Sequence, residues 1–183
     1  MVVIAITGAS GISIAVKLLK ILNERNIEIE LIISKAAEQV ILSESNVRIT
    51  DLQQLATNYY DVDDLTAPPA SGSHKTDAMI IVPCTMKTLA AIANGFSDNL
   101  ITRAADVTIK EKRKLVLIVR ESPLSPIHLE NMLKLSRLGV IIAPPVPSYY
   151  IDPVSVDELI DHTVGRILDQ IGIESKIKRW GNK

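Results

Sequence analysis

Strand-length aliphatic runs recur through this chain at residues 2–6, 27–33, 78–82, 115–119 and 140–143, and helical stretches separate them. The second run alternates at Glu28 and Glu30 before its apolar end, but the others are nearly continuous, which marks strands buried on both faces of a parallel sheet covered by helices on either side. Alternating strand and helix also requires crossover connections, which are right-handed. The predicted class is therefore doubly wound α/β. At 183 residues the chain fits one domain, 1–183, with a basic tail from about 174 to 183. In such a sheet ligands bind beyond the carboxyl ends of the strands, so the residues that follow each run carry the chemical interest.

The first run leads into Thr7-Gly8-Ala9-Ser10-Gly11 and then a helix with apolar Ile14, Val16, Leu18, Leu19 and Leu22. Strand, Gly/Ser turn and helix is an arrangement that cradles phosphate, because glycine permits close approach and the helix start offers free N–H groups. The turn lacks the G-x-G-x-x-G spacing, so an ordinary tight turn stays open beside that reading. The run at 27–33 ends at Ser34, a cap for a helix over 35–42 that Glu44 closes. Residues 45–77 show little periodicity and read as a long functional or interface loop. After 78–82 come Pro83-Cys84-Thr85-Met86-Lys87-Thr88 and a helix over 89–94 closed by Gly95. Cys84 is either a nucleophile or, in the plainer reading, a buried spectator.

The stretch from Asn99 to Pro123 combines a helix and a strand. Arg103, Asp106 and Lys110 share one helix face, and Arg120 and Glu121 stand at the carboxyl end of the 115–119 strand. A plain helix salt bridge between Arg103 and Asp106 is the alternative. A helix over 126–138 ends at Gly139, prolines 144, 145 and 147 deliver Tyr149 and Tyr150 to the sheet edge, and Ser155 caps a final helix over 156–171 that carries Arg166.

Composition excludes several classes. A net charge of -1 argues against non-specific nucleic-acid binding, and no apolar run reaches the roughly 18 residues of a membrane span. The 2–6 run has neither a basic start nor a cleavage site, so no signal peptide is expected. The lone Cys84 rules out an internal disulfide and fits a reducing cytoplasm; with three scattered histidines, no metal site is expected. Aromatics are 3% of the chain, so the core must be aliphatic.

The segments TGASG at 7–11, ISKAA at 33–37, APPASGS at 67–73, PCTMKT at 83–88, NLITRAADVTIKE at 99–111, VRESPL at 119–124, HLENMLKL at 128–135 and PSYY at 147–150 together resemble the flavin prenyltransferases of the UbiX type, formerly described as aromatic-acid decarboxylases. The resemblance implies a Rossmann/flavodoxin-like three-layer sandwich. It also implies transfer of a dimethylallyl group from dimethylallyl monophosphate to N5 and C6 of reduced FMN, without a metal. The product would be the prenylated FMN of UbiD-type decarboxylases, and the enzyme a homo-oligomer, often a dodecamer. By position it implies flavin contacts at Gly8, Ala9, Ser10, Ser34, Thr85, Met86, Lys87, Thr88 and Arg120, and contacts to the donor's phosphate from Arg103, Lys110, Tyr150 and Arg166. Ser10, Glu44, Lys110 and Glu121 match the catalytic positions. Two departures stand out: Leu65 where some relatives carry an aromatic residue, which leaves the prenyl-chain preference open, and Thr85 for a frequent serine. Tyr149 remains an alternative to Tyr150.

Three other readings meet specific obstacles. A flavin-dependent cysteine decarboxylase needs a catalytic histidine at a helix start, and the one early candidate, His74, lies in a loop. A short-chain dehydrogenase needs a Tyr-x-x-x-Lys pair, which no tyrosine here has. A flavin-storage protein has no need of a second phosphate pocket.

Overall fold

The computed structural model describes residues 1–181. Its strands are β1 (Val2–Ile6), β2 (Ile29–Ile33), β3 (Asn58–Tyr60), β4 (Ala78–Cys84), β5 (Lys114–Val119) and β6 (Ile141–Ile142). They form one parallel sheet in the order β3-β2-β1-β4-β5-β6. The helices are α1 (Ile12–Glu24), α2 (Lys35–Glu44), α3 (Ile49–Leu55), α4 (Met86–Ala93), α5 (Leu100–Lys110), α6 (Pro126–Arg137) and α7 (Val156–Gln170), with short 3₁₀ turns at Pro68–Ala70 and Tyr149–Ile151.

The chain lays down β1, β2 and β3 toward one edge and then returns to place β4 on the other side of β1. The strand order therefore reverses between β1 and β4, the place where an open sheet of this kind forms its crevice. Alternate side chains divide the core between the two faces. Ile4, Ile6, Leu31, Ile80 and Ile118 pack under α1 and α7. Val3, Ala5, Ile32, Met79, Ile81 and Leu117 pack under α4 and α5. Among the described residues no aromatic side chain is fully buried, in keeping with the low aromatic content.

Helix starts follow capping chemistry. Ser34, Thr85, Asn99, Ser125 and Ser155 each accept the N–H three residues on, and Asn99 and Ser125 complete reciprocal capping boxes. Thr85 explains why α4 begins at Met86, three residues earlier than the apolar pattern at 89 suggested.

Four sequence expectations need correction. The 45–77 stretch is not an unstructured loop: it holds α3 and the edge strand β3. β4 continues through Pro83 to Cys84, because a register shift between Ile81 and Cys84 removes the ladder bond that proline could not donate. The strand expected over 140–143 shrinks to the two residues of β6, where Pro144 ends it. The tail is not a free basic end: through Trp180 it lies along α7, with Ser175 buried and Ile177 packed where a Cβ on Gly165 would stand. Asn182 and Lys183 lie outside the described residues.

Candidate functional site

Thr7, the first residue after β1, ties the two strand ends at the reversal point. Its N–H and hydroxyl both donate to the Pro83 carbonyl, at 3.2 and 2.7 Å, and its hydroxyl oxygen accepts the Thr85 N–H at 2.9 Å. Gly8 then passes so close to α2 that a Cβ would stand 2.6 Å from the Ala36 Cβ and 3.0 Å from its carbonyl carbon. Glycine is required here by close backbone approach, since its φ is not in the left-handed region.

A cavity of about 380 Å³ opens at this edge, lined by Gly8, Ser34, Thr85, Lys87 and Thr88 among the predicted flavin contacts. Its size falls in the range of small-molecule pockets. Thr85 donates to the Thr88 hydroxyl at 3.0 Å, and the first turn of α4 supplies N–H groups that no helical carbonyl can satisfy. Lys35, Asp63, Asp98 and Asn99 also line the cavity, which sequence reasoning missed. Lys35 pairs with Asp63, and Lys87 lies 3.6 Å from Asp98. The signal for Lys35 was available: a lysine at the first position of a helix opposes the macrodipole and asks for a compensating anion.

Ser10, Glu44 and Arg120 form a second group on the same rim. Glu44 accepts N–H bonds from Gly11 at 3.0 Å and Ile12 at 3.3 Å. Burial alone would push this carboxyl up, but the Ser10 hydroxyl, the two N–H groups and the Arg120 charge together hold it below the usual carboxylate range. Arg120 is placed by β5, its N–H donating to the Cys84 carbonyl at 3.1 Å. Of the predicted flavin contacts, Ala9, Ser10, Met86 and Arg120 do not line the cavity. Glu121 is exposed and accepts its neighbour Ser122 N–H at 3.0 Å.

The predicted phosphate residues fall into two separate sets. On α5, Arg103 pairs with Asp106 at 2.9 Å and donates to the Ala70 carbonyl at 3.1 Å, while Lys110 pairs with Glu111 at 2.5 Å rather than with Asp106. Arg113 donates to the Gly72 and His74 carbonyls, at 2.8 and 2.7 Å, so the 67–76 loop is fastened to the end of this helix. Tyr150 and Arg166 belong to the other set. The Tyr150 hydroxyl lies 3.1 Å from His162 Nε2, and Arg166 pairs with Asp169 at 3.0 Å beside a cavity of about 210 Å³. Tyr149 is the more exposed of the two tyrosines, at 76% against 40%. Because α5 and α7 cover opposite faces of the sheet, one chain does not bring all four residues together.

Cys84 is wholly buried, and burial pushes its thiol up to about 12, which suits a spectator and not a nucleophile. Glu30, which alternation placed as a strand charge beside Glu28, is buried. Its Oε1 accepts the Tyr60 hydroxyl at 3.1 Å and meets His74 Nε2 at 2.8 Å, and its Oε2 has no partner. Burial, with Glu30 beside it, raises the Tyr60 phenol to about 12. Among the described residues no helix is long and apolar enough to cross a membrane, and no group of three or more His, Cys, Asp or Glu gathers as a metal site.

The family model for flavoproteins matches residues 1–179. The flavin prenyltransferase UbiX of Methanocaldococcus jannaschii is 50% identical over 181 residues, covering 98% of each chain. The crystal structure of AnUbiX (PadA1) in complex with FMN and dimethylallyl pyrophosphate superposes with a TM-score of 0.97 at 46% identity, covering 100% of this chain and 97% of the other. The dodecameric FMN-dependent UbiX-like decarboxylase from Escherichia coli O157:H7 superposes with a TM-score of 0.96 at 47% identity, covering 99% of both chains. The switch-point cradle, the sheet order and full-length similarity at this level agree: the chain belongs to the flavoprotein family and, within it, to the UbiX-type flavin prenyltransferases.

Proposed function

We propose that this chain, acting as one domain over 1–183, transfers a dimethylallyl group from dimethylallyl monophosphate to N5 and C6 of reduced FMN, without a metal ion. It would supply the product to a UbiD-type decarboxylase in the cytoplasm. The observation that supports this reading is the cavity at the β1/β4 reversal, in a chain that also carries Arg103 and Lys110 on α5 and Arg166 on α7. A flavin phosphate and ribityl chain are assigned to this cavity, where Gly8, Ser34, Thr85, Lys87 and Thr88 offer N–H, hydroxyl and ammonium donors. Arg120 at the end of β5 favours an anionic reduced isoalloxazine.

The donor's phosphate departs with growing negative charge, which preorganised cations stabilise. Arg103, Lys110, Tyr150 and Arg166 are assigned that work. Their separation on opposite faces means that a neighbouring subunit must complete the pocket. Exposed apolar side chains support assembly: Ile127, Leu129 and Leu133 on α6, and Val146, Tyr149 and Val154 beside α7. The proton released when C6 regains aromaticity requires a base. Glu44, ionised and joined to Ser10, is assigned that role, and Glu121, directly after Arg120 in the chain, is assigned with it.

The direct test is anaerobic incubation with reduced FMN and dimethylallyl monophosphate, followed by mass spectrometry of the extracted flavin. A gain of one dimethylallyl unit is expected. Lys110→Ala and Glu121→Ala should abolish that gain while FMN still binds; unchanged turnover in either variant overturns the assigned roles.

A further inference from the structure

Asp169, near the end of α7, serves two arginines at once. Its Oδ2 accepts from Arg166 at 3.0 Å and from Arg179 at 2.8 Å, and its Oδ1 accepts from Arg179 at 2.9 Å and from the Ser175 hydroxyl at 2.9 Å. The pairing with Arg179 is bidentate, the strongest arrangement open to these groups, whereas Arg166 makes one bond and is half exposed. The Asp169 carboxylate itself is only 16% exposed. Had Arg166 been its sole partner, taking Arg166 away would leave a largely buried, unpaired carboxylate, and that is costly.

We propose that Arg179 is a positioning residue that frees Arg166. By neutralising Asp169 from the C-terminal segment, it lets the Arg166 guanidinium exchange the carboxylate for the phosphate of the prenyl donor in the adjoining cavity, which Ser148, His162 and Thr163 also line. The inference rests on the reading of Arg166 as a phosphate ligand. The exchange moves no covalent bond and no proton: one hydrogen-bonded ion pair replaces another. The tail carrying Arg179 is fixed independently, with Ile177 against Gly165, Lys178 donating to the Ile151 carbonyl at 3.0 Å, and Arg25 donating to the Glu174 carbonyl at 2.6 Å. Losing the Arg179 charge therefore does not by itself release the segment.

The test is steady-state kinetics on the assembled enzyme with dimethylallyl monophosphate and reduced FMN, for Arg179→Gln, Asp169→Asn, their double variant, Arg179→Lys and Arg166→Gln. Arg179→Gln leaves Asp169 to hold Arg166 alone, so the donor KM should rise roughly tenfold, the scale of one charge-assisted hydrogen bond, with the FMN KM unchanged. Removing the carboxylate as well frees Arg166 again, so the double variant should return to within about threefold of the wild-type donor KM, a non-additivity that a merely structural contact does not produce. Arg179→Lys, which keeps the charge, should fall between wild type and Arg179→Gln. A double variant as impaired as Arg179→Gln, or an FMN KM that rises in step, overturns the exchange. If Arg166→Gln raises the donor KM but Arg179→Gln does not, the exchange alone falls. If Arg166→Gln leaves the donor KM unchanged, the phosphate assignment falls and takes the exchange with it.

Discussion

Glu44, the last residue of α2, caps the start of a different helix: its Oε2 accepts the Gly11 N–H at 3.0 Å, 33 residues earlier in the chain. Gly11 sits at the N-cap of α1 with φ of 110° and offers no side chain of its own, so the carboxylate takes the place of the missing cap. Cap and proposed base are thus one group, and two substitutions separate the roles. Glu44→Gln keeps an acceptor oxygen and should fold normally with a large loss of kcat, whereas Glu44→Ala should also cost about 1 kcal/mol of stability in urea titration. Because the folded carboxyl is held low, its stabilising contribution is present above the ordinary carboxylate value and is lost as pH falls through the lowered one. The acid limb of the unfolding curve should therefore shift in Glu44→Gln.

Gly8→Ala places a methyl against the backbone of Ala36, which cannot yield as a side chain tip can. The expected result is overpacking of about 1–3 kcal/mol together with weakened FMN binding, because the turn is pushed toward the cavity. Thermal melts and flavin fluorescence quenching check both.

Cys84 should not react with a thiol reagent in the native protein at pH 8 and should react fully in urea. Its folded value of about 12 stands above the ordinary 9.0, so folding favours the protonated form. That contribution is complete below pH 9 and is lost as pH rises from there toward 12. Cys84→Ala should flatten this alkaline loss.

Separate placement of the phosphate residues permits a mixing experiment. Lys110→Ala and Arg166→Ala chains should each be inactive alone. Co-assembled in equal amounts, about a quarter of the sites would draw Lys110 from one chain type and Arg166 from the other, and activity should return in that proportion. Activity that stays absent on mixing would show that each site uses both residues of a single chain.

The sheet was legible because its central strands carry almost no polar residue: β1 and β5 appear in the sequence nearly at their observed bounds. α3 and β3 were not. α3 buries Leu52 and little else, and β3 is Asn-Tyr-Tyr at an edge, so neither shows the periodicity that burial imposes. Glu30 misled for the opposite reason, since a charge in an alternating run reads as solvent-facing until Tyr60 and His74 are found around it. The turns after β1, β2 and β4 were legible as turns and helix starts, because glycine and hydroxyl residues such as Gly8, Ser34 and Thr85 mark those positions. The division of Arg103 and Lys110 from Tyr150 and Arg166 was not, because which face a helix covers depends on the crossover path and not on the helix's own residues.

The Glu30 cluster constrains how this sequence can drift over generations. One oxygen of a buried carboxylate serves both Tyr60 and His74, and the other has nothing in reserve. Replacing His74 leaves a buried acid short of a partner, and replacing Glu30 strands a phenol and an imidazole, so neither single step is neutral. Positions 30, 60 and 74 should therefore change together: aligned relatives are expected either to keep all three or to exchange all three for an apolar set.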